Sequence, residues 1–153
     1  MKNSNYIIYV VVLSLSLSFG CGPEEVTNEV GNYQDGKKDG KWIYYLEDGQ
    51  IWYEGNYKDG VEHGEFILSG YGNYNIFHKL KLENKKDGKL DGKSIHYHIN
   101  GEIGRIENYK DGYQNGNDIF YDKDGKIFWS GNYKDGIFIY GDFLKSDRPF
   151  NLH

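Results

Sequence analysis

At 153 residues the chain has the length of one domain. Its 21 Gly, 15 Tyr, 8 Phe and 3 Trp against 2 Pro suit many short strands joined by tight turns. The aromatic content excludes a largely disordered chain despite a mean hydropathy of -0.75. The formal charge of -5 excludes the clustered cationic surface that nucleic acid requires, and the single cysteine, Cys21, excludes an internal disulfide.

Residues 1–20 carry one basic residue, Lys2, then an apolar run from Tyr6 to Phe19 and a small residue, Gly20. A membrane-spanning helix needs about 20 apolar residues, so the run reads as an export signal that is removed. Leu17-Ser18-Phe19-Gly20-Cys21 resembles the lipobox of bacterial lipoproteins, with Ser18 in place of the usual Leu and Phe19 in place of a small residue. That resemblance implies lipidation of Cys21 and a protein of the cell envelope, anchored in the outer membrane; the alternative for Cys21 is a buried free thiol. Residues 21–30 read as an acidic tether without apolar periodicity. Glu24 and Glu25 resemble a surface-export signal of some Gram-negative lineages, and an ordinary solvated linker explains them as well.

The repeat begins at Gly31. Gly31-Asn32-Tyr33-Gln34-Asp35-Gly36 recurs at Gly55 and Gly131, and in weaker form at Glu83 and Glu107, so successive starts are 24, 28, 24 and 24 residues apart. Each repeat holds two turn signals. One is a longer turn of the type Asp35-Gly36-Lys37-Lys38-Asp39-Gly40. The other is short: Asp48-Gly49, Asn100-Gly101 and Asp124-Gly125, which the preference of Asp-Gly and Asn-Gly for positive φ assigns to two-residue hairpin loops.

The segments between turns read as strands. Two-residue loops place Ile43 opposite Glu54, Tyr45 opposite Trp52, Ile95 opposite Ile106, Tyr97 opposite Gly104, Ile119 opposite Ser130 and Tyr121 opposite Phe128. The isoleucine that recurs at 43, 67, 95 and 119 then marks the packed face, with Ile43, Tyr45, Trp52, Ile67, Ile95, Tyr97, Ile106, Ile119, Tyr121 and Phe128. The other face carries Trp42, Tyr44, Tyr53, Phe66, Leu68, His96, His98, Arg105, Phe120 and Trp129, and varies between repeats. Trp42, Tyr44, Tyr53, Phe66, His96, His98, Arg105, Phe120 and Trp129 are the candidate binding residues; equally, these aromatics simply cover backbone and one another. The second repeat has four extra residues within Ser69–Phe77, expected as a tyrosine-rich loop. The repeat domain spans 31–140, with Ile137–Tyr140 as a last strand and 141–153 as a cap.

The unit Gly-Asn-Tyr-x-Asp-Gly-x-x-x-Gly-x-Trp-x-x-Tyr, as it stands at Gly31 to Tyr45, resembles the MORN repeat. It is most similar to the second MORN variety, found in the bacterial YwqK-family antitoxin group. Ser94 and Asp118 stand where Trp42 and Phe66 do, and Glu83 and Glu107 occupy glycine places. The resemblance implies an all-β fold, an elongated antiparallel sheet of successive hairpins, acting as a binding scaffold and not as a catalyst.

No phosphate-binding glycine motif, Ser-centred elbow or His-Glu-x-x-His occurs. His96 and His98 share a strand face, and with His78 as the only further donor a zinc site is not expected. The expectation is a non-catalytic, membrane-anchored repeat protein without cofactor, metal or nucleic acid, whose partner is a protein or an envelope polymer. The alternative is an antitoxin or immunity protein that neutralises a toxin; a glycan-degrading enzyme ranks last.

Overall fold

The computed structural model describes residues 26–72 and 76–144. The expected export signal, Cys21, the first part of the expected tether and residues 145–153 of the expected cap lie outside the described residues. Eleven strands follow one another: β1 (Val26–Gln34), β2 (Lys37–Leu46), β3 (Ile51–Lys58), β4 (Val61–Tyr71), β5 (Phe77–Lys86), β6 (Lys89–Tyr97), β7 (Ile103–Lys110), β8 (Tyr113–Gln114), β9 (Gly116–Tyr121), β10 (Ile127–Lys134) and β11 (Ile137–Phe143). They form one antiparallel sheet in chain order, the short β8 pairing with β7 ahead of β9. The described residues contain no helix, so the expected all-β sheet of successive hairpins is what forms. The tether is shorter than its expected 21–30, because Val26–Val30 already pair with β2; the last strand runs on to Phe143.

Both turn signals make hairpins, but their types are exchanged. Asp35, Asp59, Asp87, Asp111 and Asp135 all have φ between 50° and 53°, each followed by a glycine of positive φ. These are the two-residue loops, closed by the pairs Gln34–Lys37, Lys58–Val61, Lys86–Lys89, Lys110–Tyr113 and Lys134–Ile137. Each later turn is also stitched to the repeat before it: Gly60 N–H donates to Lys38 O at 2.8 Å, Gly88 to Glu62 at 2.9 Å, Gly112 to Leu90 at 2.8 Å and Gly136 to Gln114 at 2.9 Å.

At Asp48-Gly49, Asn100-Gly101 and Asp124-Gly125 only the glycine has positive φ. Gly49 N–H donates to Leu46 O and Leu46 N–H to Gln50 O, both at 2.9 Å, which makes a three-residue loop ending in a left-handed glycine. Asp48 Oδ1 accepts the Gln50 N–H at 2.9 Å and fastens the loop. The extra loop residue slips the strand tips: Tyr45, Tyr97 and Tyr121 pair with Ile51, Ile103 and Ile127, not with Trp52, Gly104 and Phe128. Beyond the slip the expected pairs Ile43–Glu54, Ile95–Ile106 and Ile119–Ser130 hold.

The packed face is the opposite of the one expected. Trp42, Phe66, Ser94 and Asp118 are each 1% exposed, whereas the isoleucines 43, 67, 95 and 119 are only half-buried. The buried residues lie in one row across the strands. Trp42 faces Gly55, Gly55 faces Phe66, Phe66 faces Glu83, Glu83 faces Ser94, Ser94 faces Glu107, and Asp118 faces Gly131. Glycine leaves room for a ring to lie flat across its strand. A Cβ on Gly31 would stand 2.2 Å from the Trp42 ring, and one on Gly55 1.9 Å from Phe66.

The four-residue insertion lengthens a hairpin instead of forming a separate loop. Beyond a bulge at Leu68/Ser69 the pairing of β4 and β5 continues through Ser69–Lys79, Gly70–His78 and Tyr71–Phe77. Tyr71 and Phe77 meet edge to face at 5.2 Å, and the Tyr71 hydroxyl donates to the Asp48 carboxylate of the neighbouring turn. Residues 73–75 of the insertion lie outside the described residues.

Candidate functional site

Two residues along from the buried row, on the same face, runs a second row. Tyr44 pairs with Tyr53, Tyr53 with Leu68, Leu68 with Lys81, Lys81 with His96, His96 with Arg105, Arg105 with Phe120, Phe120 with Trp129, and Trp129 with Phe143. Six of the candidate binding residues, Tyr44, Tyr53, His96, Arg105, Phe120 and Trp129, thus come from six different strands into one half-buried rib. At about 4.8 Å per strand the rib from β2 to β11 spans on the order of 40 Å.

Trp42 and Phe66 do not belong to that surface. They are its floor, and their place among the binding residues is corrected: a side chain 1% exposed has no area left for a partner. His98 is separate as well. Its ring lies against Gly104 and its Nε2 sits 2.9 Å from Tyr121 O, near the three-residue turn. His78 Nδ1 is 3.0 Å from Ile76 O, so the histidines considered for zinc have unrelated neighbours. Among the described residues no three His, Cys, Asp or Glu side chains group as a metal site.

The first half of the face is a tyrosine and lysine network. Lys38 Nζ lies 4.0 Å above the Trp42 ring and donates to Glu29 and to the Tyr44 hydroxyl, both at 2.8 Å. The Tyr44 and Tyr57 hydroxyls share a hydrogen bond of 3.2 Å. One repeat on, Lys85 Nζ lies 4.9 Å above the Phe66 ring and donates to Glu62 at 2.7 Å and to the Tyr53 hydroxyl at 3.3 Å, while Tyr53 donates to Glu62 at 3.1 Å. Burial first, and then the Glu62 charge, push the Tyr53 hydroxyl well above the ordinary tyrosine range; burial and the bond to Tyr44 do the same for Tyr57. All these tyrosines therefore stay neutral donors at physiological pH.

In the second half the floor is polar, and its partners change accordingly. Arg105 Nε and Nη2 donate to the two Asp118 oxygens at 2.8 and 2.7 Å, and Nη2 also reaches Glu107 at 3.0 Å. This two-pronged bond is the strongest form of charged hydrogen bond available to a carboxylate. Arg105 also stacks 4.5 Å over the Phe120 ring, a third cation held on an aromatic face. Glu107 accepts from His96 Nε2 at 2.9 Å and from the Tyr109 hydroxyl at 3.1 Å. Burial and the Glu107 charge push Tyr109 up to about 12.

Burial alone would raise the pKa of Glu107, but the His96 bond, the Arg105 charge and the Tyr109 bond together hold it below the ordinary value of 4.5. A carboxylate whose folded pKa is depressed stabilises the fold above its unfolded pKa and loses that contribution as pH falls through the folded value. Thermal melting followed from pH 6 downward is therefore expected to show stability falling below about pH 4.5, and Glu107→Gln to flatten that fall.

Lys38, Lys85, Glu62, Glu107 and Asp118 escape sequence reading because they occupy turn-flanking or departing repeat positions. Their one signal is offset: Lys38 and Glu62 stand four residues before Trp42 and Phe66, on strands that bulge before the ring. In a comparison with known proteins, no family model matches the chain, and none of the curated proteins matches it.

Proposed function

We propose that the protein is a non-catalytic repeat scaffold of the MORN type, anchored in the cell envelope through lipid on Cys21, that binds an extended partner along the rib. The observation that supports this reading is the alignment of Tyr44, Tyr53, His96, Arg105, Phe120 and Trp129 from six strands on one face. Half-buried aromatics and a fixed guanidinium offer binding area at low conformational cost, and each is already held by neighbours. A row that crosses the strands fits a partner lying across them, an extended protein segment or an envelope polymer.

The test is in-cell crosslinking of the tagged, lipid-anchored protein followed by mass spectrometry, repeated with Phe120→Ala, with His96→Ala and with Ile127→Ala on the other face. The two rib variants are expected to lose the crosslinked partner, each weakening binding by about tenfold or more, while Ile127→Ala retains it. Circular dichroism checks that all three stay folded. Equal crosslinking by all variants would remove the rib from the reading; recovery of a toxin as the sole stoichiometric partner would turn it towards an immunity protein.

A further inference from the structure

The sequence holds two Asn-Gly pairs, Asn100-Gly101 and Asn115-Gly116. Glycine has no side chain to shield its nitrogen, which can attack the side-chain amide carbon of the asparagine before it and so convert that residue. The sequence makes the two pairs equivalent; the fold separates them. Asn100 is exposed, in the three-residue loop between β6 and β7. The loop is closed by His98 N–H on Glu102 O at 2.8 Å and by Gly101 N–H on His98 O at 2.9 Å. Asn100 Oδ1 accepts the Glu102 N–H at 3.1 Å, and Nδ2 donates to Lys123 O of the next loop at 3.1 Å. The Glu102 bond favours the chemistry, because negative charge gathers on Oδ1 as the amide carbon is attacked, and a donor already points at that oxygen. Freeing the Gly101 nitrogen opens one hydrogen bond at the rim and leaves the pairing of β6 with β7 in place.

Asn115 lies where β8 gives way to β9, between two other strands. Its N–H donates to Asn108 O on β7 at 2.7 Å, its Nδ2 donates to the Asp135 carboxylate at 2.9 Å, and Gly116 pairs with Tyr133 on β10. Turning this asparagine onto the Gly116 nitrogen requires the start of β9 to part from both neighbours. That is an opening of the sheet and not of a loop.

We infer that Asn100 is a site of spontaneous modification, that Asn115 is protected, and that conversion of Asn100 unfastens two adjacent turns. The Gly101 nitrogen bonds to Asn100 Cγ, the Cγ–Nδ2 bond breaks, and ammonia leaves with the proton that the glycine nitrogen gives up. Water then opens the cyclic imide at either carbonyl and leaves aspartate or its chain-lengthened isomer, isoaspartate. Aspartate suits the loop, since Asp48 holds the same place in the first repeat and its Oδ1 takes the same bond, from the Gln50 N–H. The tie to the next loop does not survive. Where Nδ2 donated, a carboxylate oxygen would face Lys123 O, acceptor against acceptor. Asp48 escapes this conflict because its other oxygen meets a donor, the Tyr71 hydroxyl. The inference does not depend on what the rib binds.

Peptide mass spectrometry tests it on the full chain in mild detergent, held at mildly alkaline pH and sampled over days beside the same chain in denaturant. The mass gain of amide-to-acid conversion is read at both asparagines. The rate at Asn100 relative to Asn115 is expected to rise by about tenfold or more from the denatured to the folded chain, because only the fold distinguishes them. A ratio that stays the same or falls, or an Asn100 that converts only in denaturant, would overturn the inference. Asn100→Asp, made directly, is expected to keep the wild-type circular dichroism spectrum and to speed amide exchange in the loop between β9 and β10. A changed spectrum would show that the product does not fit the loop, and unchanged exchange that the bond to Lys123 does not fasten the two turns.

Discussion

Trp42→Ala is expected to destabilise the domain by about 3–5 kcal/mol in equilibrium denaturant unfolding, a large share of the stability of a domain this size. Trp42 is the largest fully buried side chain of the sheet. Its ring lies on Gly31, meets Tyr33 edge to face at 4.9 Å and Tyr57 at 6.3 Å, and carries Lys38 on its other side. Its Nε1 donates to Asn32 O at 3.2 Å. Alanine would remove the ring from three strands at once and leave Lys38 and Glu29 without the surface that positions them. Trp42→Phe should be far milder, below about 2 kcal/mol, because Phe66 shows that phenylalanine fits the equivalent position of the next repeat, over Gly55 as Trp42 lies over Gly31. Gly55→Ala is expected to destabilise as well, since its methyl group would enter the Phe66 ring. An alanine variant at 42 that unfolds within about 0.5 kcal/mol of wild type would show that this row is not the core.

Arg105→Met is expected to destabilise by a similar amount, about 3–5 kcal/mol, for a different reason. Asp118 is 1% exposed, and Arg105 supplies two of its hydrogen bonds, so removing the guanidinium leaves a buried carboxylate without its counter-charge. Taking away the second partner should then restore stability, since an apolar pair of similar shape replaces a buried ion pair at little net loss. The double variant Arg105→Met/Asp118→Leu is expected to recover at least about half of the loss, read as a double-mutant cycle in the same denaturant experiment. Additive losses would mean that Arg105 acts through Phe120 and Glu107 and not through Asp118.

The repeat period and the positions of both turns were legible in the sequence, because Asp-Gly and Asn-Gly at fixed spacing signal hairpins whatever the rest of the strand does. Which of the two was the tighter turn was not, since a glycine in the left-handed region ends both loop types and only the φ of the preceding residue separates them. The faces were read in reverse for a physical reason. A recurring isoleucine suggests burial, whereas on a single sheet the more buried face is the one where large rings lie over glycine. Gly31, Gly55 and Gly131 inside strands were the available signal, as glycine within a strand marks a close approach. The departures at Ser94, Asp118, Glu83 and Glu107 are linked: where the ring is lost the glycine has become glutamate, and Arg105 and His96 answer the new charges. Sequence shows the four departures and not that they answer one another.

The order of the strands in the sheet is the order of the chain, and that has a kinetic meaning. No strand waits for a partner far along the polypeptide, so loop closure is short at every step and the sheet can grow hairpin by hairpin from whichever turn forms first. A chain emerging amino terminus first can lay down β2 on β1 and β3 on β2 before β11 exists. Each edge strand has a neighbour on one side only, so amide protons of β1 and β11 should exchange soonest and those of the central hairpins last.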